Sequence, residues 1–427
     1  MFQSIRFYCE LKDSLRRFYC LNEEKLRVFQ NRQFKANLEL IASSNIFYKH
    51  KFLKNKIDFK NNVQLGTITE LPFSEPADFF SQQHEMQINA KSAHTTLRSS
   101  GTTGCPKNIY LSEHERFYLR RLTYLRMLFL SGCQPFSKTV FLKFSQSTLS
   151  RQAKWFWNKG FIRERIICLD QPIYEQAAIF NQTQANILYC LTADGVALAE
   201  FIKSQKMYTH KVKHIFTTGE ILGKKDRQLM VEMLGKNVID FYASTETGII
   251  AWQCSKTPAY HVNADQFYVE IVDGEKVCKD KEEGEIVVTT LIPRSFPLIR
   301  YRIGDIAVLE HGKCECGSSF PRLTQIKGRK NDFIIDINKE KVSPYRLMIK
   351  MDAIRGVEKY QIIQQSPDLV IVRVKLINGM GSQVMNEVKI ICKKLLGDKM
   401  GIEIKKDFIP AYGNKQKTII NEMTNVN

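Results

Sequence analysis

The chain has 427 residues, 44% hydrophobic and 25% charged, and its Lys and Arg exceed its Asp and Glu by 63 − 44 = 19. A chain this long exceeds one ordinary core and calls for two or three folding units, and its composition is that of a globular protein. No apolar run reaches the ~18 residues that a bilayer span needs, and the charged start MFQSIRFYCELKDSLRR is not the continuous apolar stretch of a signal peptide, so a soluble, cytoplasmic protein is expected.

The basic excess fits a polyanionic partner such as nucleic acid, an acidic protein or a nucleotide. It is not clustered, however: residues 1–60 carry 13 basic against 6 acidic side chains and residues 333–427 carry 16 against 10, which favours a lysine-rich solvated surface. The 11 cysteines lack the spacing of a disulfide framework and are expected to be reduced.

In chain order, the first ninety residues are expected to be helical, with LKDSLRRFYCLNEEKLRVFQNRQFKANLELIA carrying apolar residues at mixed three and four spacing. They lead to TTLRSSGTTGCPKNIYL (Thr95 to Leu111), a run of small residues beside a lysine. Such runs are ordinary turns, or they wrap a polyphosphate with bare N–H groups and hydroxyls while the lysine supplies counter-charge. It is not a Walker A loop, because Gly101 and Gly104 are too close and Lys107 follows Pro106. From Ser137 to Gly219, apolar runs such as TVFLKF, RIICLD and ANILYCL alternate with helical stretches such as ADGVALAEFIKSQ, the pattern of an α/β sheet with crossovers. Between Tyr260 and Glu310 strands prevail, in FYVEIVDGE, GEIVVTTLI and IAVLE. Beyond a boundary near Asp332, SPYRLMIKMDAI, LVIVRVKL, QVMNEVKIICKKLL and IEIKKDF make a compact α+β unit. The expected organisation is a large domain over 1–331, with a helical lead-in (1–90), an α/β part (91–253) and a β-rich part (254–331), and a small domain over 332–427. Gly379 and Gly381 in NGMGSQV lack the third glycine of a dinucleotide fingerprint and form a turn.

Four further stretches offer chemistry. FYASTETG puts a tyrosine, hydroxyls and Glu246 in one loop, where a hard oxygen ligand suits Mg²⁺ on a phosphate and the ring suits a base. PLIRYRIGDIA sets Asp305 after a glycine turn, where its two oxygens accept both hydroxyls of a ribose. KGRKNDF supplies Arg329, and IPAYGNKQKT supplies Lys415 in a glycine-containing loop. Each alone is more often a cap or a turn than a site.

Their order is the stronger signal. SSGTTGCPK, YASTE, GEIVVT, YRIGD, GRKND and the terminal glycine-lysine loop resemble the ordered motifs of the adenylate-forming superfamily of acyl-CoA synthetases, adenylation domains and luciferases. TTGEIL, FPLIRYRIGD and CECGSSFPRLTQIKGR resemble most the phenylacetate-CoA ligase branch, from about Pro72 to the C-terminus. The resemblance implies an α/β large domain followed by a small, mobile α+β domain that rotates between two half-reactions. It implies that Ser99, Ser100, Thr102, Thr103 and Lys107 hold the ATP phosphates, that Tyr242 stacks on adenine, that Thr245 touches the α-phosphate, and that Glu246 binds Mg²⁺. It further implies that Asp305 and Arg329 hold the ribose, that Gly219 and Glu220 belong to the nucleotide site, and that Lys415 bridges carboxylate and α-phosphate. The chain departs from the pattern in three places: Asn331 stands where the hinge acid is commonly Asp, with Asp332 next; Lys417 and Thr418 follow the terminal lysine; and Cys105 sits in the phosphate-type loop.

The implied activity is AMP-forming activation of a small, aryl or related acid, then thioester formation on CoA or on a carrier protein's phosphopantetheine. An acidic carrier protein would suit the positive charge through steering. The alternatives are an adenylyltransferase that stops at the adenylate, or an inactive nucleic-acid- or protein-binding relative; against nucleic acid, no basic stripe is interleaved with aromatics. Trp155, Phe156 and Trp157 are expected in the core rather than in the acid pocket. Finally, Cys254, His261, Cys314 and Cys316 offer three thiolates and an imidazole, a closed tetrahedral set suited to structural Zn²⁺, and some relatives in the branch bind zinc at similar positions. His311 is a second candidate for the nitrogen.

Overall fold

The structure is a computed structural model that describes residues 2–57, 64–75, 78, 85, 95–98, 108–134, 137–143, 163–169, 171–327, 334–338, 341–342, 347, 351, 354–377, 381–407 and 419–425. The helical lead-in forms α1 (Phe2–Cys20), α2 (Glu23–Ser44) and α3 (Ile46–Lys54). The run LKDSLRRFYCLNEEKL is broken at Asn22, whose side-chain oxygen accepts the Lys25 N–H at 2.9 Å; an asparagine that satisfies an orphan donor starts a helix more readily than it continues one. Asn45 does the same for α3, accepting the Tyr48 N–H at 3.0 Å.

β1 (Thr95–Arg98) and β2 (Asn108–Leu111) pair antiparallel and flank the small-residue loop. One π-helical turn (His114–Leu119) then runs into α4 (Arg120–Leu130). The α/β part follows: β3 (Lys138–Lys143), β4 (Arg163–Cys168), α5 (Ile173–Thr183), β5 (Ile187–Leu191), α6 (Thr192–Ser204), β6 (Val212–Thr218), α7 (Lys224–Met233) and β7 (Gly235–Ser244). Its strands are parallel, in the order β7-β6-β5-β3-β4.

Side chains alternate across these strands. Val140, Leu142 and Leu188 face a core with α5–α7, while Phe141, Ile187 and Phe216 join Tyr124 and Met127 of α4 on the other face. The next strands are β8 (Gly248–Gln253), β9 (Tyr260–Val262), β10 (Phe267–Asp273), β11 (Lys276–Val277), β12 (Glu283–Thr290), β13 (Tyr301–Glu310) and β14 (Arg322–Thr324). These β-rich strands extend the parallel ones into a single twelve-stranded sheet, because β7 pairs with β6 on one edge and antiparallel with β8 on the other. Helices α2 and α3 pack Phe34, Leu38, Ile41 and Phe52 on the segment carrying Leu291, Phe296 and Tyr301.

A separate core, from Ile334 to Ile419, is built on β15 (Ile334–Ile335), β16 (Lys341–Val342), β17 (Val357–Ser366), β18 (Leu369–Leu376), α8 (Gly381–Leu396), β19 (Gly401–Lys405) and β20 (Ile419–Asn421). Its four-stranded sheet has the order β19-β18-β17-β20. It touches the α/β part through Lys225, whose ammonium donates to the Ile354 and Val357 carbonyls at 2.9 and 3.1 Å, and through Lys359 with Glu200 at 3.5 Å.

Candidate active site and metal centre

Strands β5, β6 and β7 end at Leu191, Thr218 and Ser244, and ligands of open α/β sheets bind outside such carboxyl ends. Three of the sequence-selected segments meet there. Gly219, at φ +95°, turns the chain after β6, a left-handed conformation that favours glycine. The Thr192 hydroxyl reaches the Thr218 and Glu220 carbonyls at 3.5 Å, and the Thr218 hydroxyl donates to the Phe241 carbonyl at 2.9 Å, so the Gly219–Glu220 turn is tied to β7.

Between β7 and β8, Thr245, Glu246 and Thr247 make a tight turn that Gly248 closes at φ +79°. Ser244 accepts the Thr247 N–H at 3.2 Å. Two arginines grip this turn from behind: Arg120 donates to the Thr245 carbonyl at 2.7 Å and Arg294 to the Thr247 carbonyl at 2.9 Å. Arg294 also lies 3.6 Å from Glu115, whose other oxygen accepts the Ser295 N–H at 3.0 Å. Glu246 is only 7% exposed, and the Tyr301 hydroxyl donates to its carboxylate at 3.4 Å. Burial pulls the Arg120 guanidinium down to about 10, with Arg294 adding to the fall and Glu115 and Glu246 opposing it; it stays charged at neutral pH.

Asp305 follows Gly304, at φ +91°, in β13. Its Oδ2 accepts the Tyr242 hydroxyl proton at 2.5 Å across 63 residues of sequence. The groups matched to adenine and to ribose are thus bonded to each other, with Thr245 and Glu246 on the turn just beyond. Ser99, Ser100, Thr102, Thr103, Lys107, Arg329, Asn331, Asp332 and Lys415 lie outside the described residues, as do Trp155, Phe156 and Trp157. Sequence reasoning missed Arg120, Arg294 and Glu115. No spacing marks them, since Arg120 acts on a residue 125 positions away, Arg294 on one 47 away and Glu115 on one 180 away.

At the far end of the β-rich strands, the donor atoms of Cys254, His261, Cys314 and Cys316 all lie within 4.8 Å of one another. Cys254 and Cys314 Sγ are 3.8 Å apart, and Cys316 Sγ is 3.2 Å from His261 Nε2. A tetrahedron with Zn–S bonds of ~2.3 Å has edges of about 3.8 Å, so the set fits zinc with little movement. His261 Nδ1 donates to the Phe320 carbonyl at 3.2 Å, which leaves Nε2 as the unprotonated nitrogen facing the thiols. Burial pulls the His261 ring down to about 4, so it is neutral, as a ligand must be. The nitrogen that lies with the three thiols is that of His261, not His311; His311 pairs with Asp280 at 2.7 Å. The Ser318 hydroxyl donates to the Phe18 carbonyl at 2.7 Å, joining the cysteine turn to α1. Among the described residues no helix is long and apolar enough to cross a membrane.

No family model matches the chain. It is 23% identical over 356 residues to a phenylacetate-coenzyme A ligase of Thermus thermophilus, covering 80% of this chain and 79% of that protein. The fold matches the crystal structure of a 2-hydroxyisobutyryl-CoA ligase in its postadenylation state, with a TM-score of 0.82 at 16% identity over 96% of this chain and 92% of the other. Against that enzyme in its thioesterification state, at 18% identity, the TM-score is 0.65 over 95% and 91% of the two chains, a less complete superposition than on the former. With the ordered motifs, the Tyr242–Asp305 bond and the Thr245–Gly248 turn, these likenesses support the adenylate-forming superfamily: the chain has the fold of an acyl-CoA ligase and is similar in sequence to the phenylacetate-CoA ligase branch.

Proposed function

We propose that the protein is an AMP-forming acid–thiol ligase that activates a small carboxylic acid as its acyl-adenylate and transfers the acyl group to a thiol. The observation that carries this reading is the convergence of Tyr242, Asp305, Thr245 and Glu246 at the carboxyl end of β7. Tyr242 supplies a ring for the adenine, and Asp305, oriented by the Tyr242 hydroxyl, accepts the ribose hydroxyls. Ser99, Ser100, Thr102, Thr103 and Lys107 cradle the β and γ phosphates, with Arg329 on the ribose.

The acid oxygen attacks the α-phosphorus, the bond to the bridging oxygen breaks, and pyrophosphate leaves with the electron pair. Two anions approach each other in this step, so it needs positive charge and in-line positioning. Lys415 supplies a cation to the carboxylate, and the Thr245 hydroxyl positions the α-phosphate. Glu246 offers a hard carboxylate oxygen held by Tyr301, which fits Mg²⁺. The ion, when bound, neutralises charge on the phosphates. A thiol then attacks the acyl carbon and AMP leaves; CoA or a phosphopantetheine arm serves as that thiol, and the chain's excess of 19 positive charges favours an acidic carrier protein through steering. A structural zinc on Cys254, His261, Cys314 and Cys316 completes the proposal, fixing the β-rich strands to α1.

Acid-dependent ATP–pyrophosphate exchange tests the reading. Wild type should exchange with at least one small acid, and Glu246→Gln and Lys415→Ala should each lose exchange while keeping the wild-type melting temperature. Wild type inert on every acid, yet binding DNA or RNA in a salt-sensitive way, would overturn it.

A further inference from the structure

We propose that Arg294, backed by Glu115, is a positioning residue for adenylation: it fixes the turn that presents Thr245 and Glu246 to the nucleotide, and Glu115 acts through it. The inference rests on the ligase reading. Arg294 lies between β12 and β13 and is only 5% exposed. One arm of its fork donates to the Thr247 carbonyl at 2.9 Å and the other to Gln266 Oε1 at 3.2 Å. Gln266 is itself held, its Nε2 donating to the Thr123 hydroxyl of α4 at 2.8 Å. The guanidinium carbon lies 4.8 Å from the centre of the Phe267 ring, so the fork is braced on two sides while it delivers an N–H to the turn.

Behind Arg294 stands Glu115, 1% exposed, in the π-helical turn that follows β2. The Arg120 N–H bonds the Glu115 carbonyl five residues back, a widened turn of the kind that helices adopt at functional sites. Glu115 closes a ring with two serines: its N–H donates to the Ser112 hydroxyl at 3.1 Å, the Ser112 N–H donates to the Ser295 hydroxyl at 3.1 Å, and the Ser295 N–H donates to Glu115 Oε2 at 3.0 Å. The ring ties the exit of β2 to the residue after Arg294. The strand that leaves the small-residue loop and the turn that carries Thr245 and Glu246 are therefore linked through one arginine.

The pair is poorly arranged for stability. Arg294 and Glu115 approach only to 3.6 Å, and Glu115 Oε1 and Arg294 Nε are buried without a hydrogen-bond partner among the described residues. A buried ion pair with unmet atoms recovers little of its desolvation cost, and apolar residues of similar volume often serve folding better. What the arginine supplies, and an apolar residue does not, is a fixed donor to the Thr247 carbonyl, one residue beyond Glu246 and two beyond Thr245. A shift of that turn by about 1 Å moves the Thr245 hydroxyl and the Glu246 carboxylate out of place together, the scale of misplacement that costs about a hundredfold in rate.

The experiment compares wild type with Arg294→Lys, which keeps the charge but not the fork, with Glu115→Gln and with the double variant. Two readouts are taken on the full chain: acid-dependent ATP–pyrophosphate exchange, and calorimetric binding of ATP with and without Mg²⁺, which needs no acid. Arg294→Lys should lower kcat for exchange by about tenfold or more while KM for the acid stays within about twofold, and it should shrink the gain in ATP affinity that Mg²⁺ gives wild type. Glu115→Gln should do the same to a smaller extent, and the double variant should be no worse than Arg294→Lys, as for residues that act as a unit. A lower melting temperature with wild-type constants per folded molecule would overturn the proposal and leave the pair as packing. So would additive losses in the double variant, which would separate Glu115 from Arg294. If Arg294→Lys fails to fold, Glu115→Gln decides alone, and wild-type kcat and magnesium dependence in that variant would overturn the proposal. Wild type inert on every acid yet binding ATP with Mg²⁺ would refute the ligase reading instead, and the binding readout would still decide the role of Arg294.

Discussion

Replacing Cys314 by serine removes one corner of the cysteine–histidine tetrahedron and should strip the metal rather than the chemistry. Its Sγ is 3.8 Å from Cys254 Sγ, and its N–H donates to the Ser318 carbonyl at 2.8 Å, so the backbone turn survives while the thiolate is lost. A ligand that binds only the folded state adds about 4 kcal/mol when it is present at about a thousand times its Kd. For 427 residues the entropy of unfolding is about 0.9 kcal/mol/K, which converts that loss to a fall of about 4–5 °C in melting temperature. The assay is differential scanning calorimetry on untagged protein, with elemental analysis expected to give about one zinc per chain in wild type and none in Cys314→Ser. After chelation the two proteins should melt together. Wild type that is free of zinc, or a variant that keeps its metal, would refute the reasoning, because the donor geometry would then serve packing alone.

The Tyr242→Phe variant removes the 2.5 Å bond to Asp305 but keeps the ring, so KM for ATP should rise about tenfold with kcat changed less; an unchanged KM would separate this bond from nucleotide binding. Lys225→Met breaks both bonds to the Ile354 and Val357 carbonyls and should slow adenylate formation several-fold, while thioester formation from preformed adenylate is unchanged or faster. Equal loss in both half-reactions would show that Lys225 does not hold the postadenylation-type arrangement. Glu164 is pushed by burial from 4.5 to about 7, against the pull of Arg121 and Lys143. A carboxyl whose pKa rises on folding contributes stability below about 4.5 that is lost as pH climbs through 7. Glu164→Gln should therefore flatten urea-unfolding stability over that window and gain relative to wild type at pH 8, whereas a parallel profile would sink the assignment.

Much of the site was legible in the sequence because it consists of short loops with fixed chemistry. FYASTETG and RYRIGD name Tyr242, Glu246 and Asp305 by residue type and order, and the alternation of TVFLKF, RIICLD and ANILYCL follows from side chains that point to opposite faces of a strand. The helical lead-in was equally plain, but its break at Asn22 depended on one side chain choosing the Lys25 N–H.

What only tertiary structure decided is what lies between distant segments. Local pattern does not show that β7 would carry the β-rich strands into the same sheet as the parallel ones, since register and partner depend on long-range pairing. It does not choose His261 over His311, a choice made by the fold, which brings His261 within 4.8 Å of the three thiols. Nor does it place Arg120 and Arg294 behind the Thr245–Gly248 turn. In a sequence an arginine near a helix start is one more surface charge, and Arg120 becomes a half-buried cation only because a turn from another part of the chain packs against it.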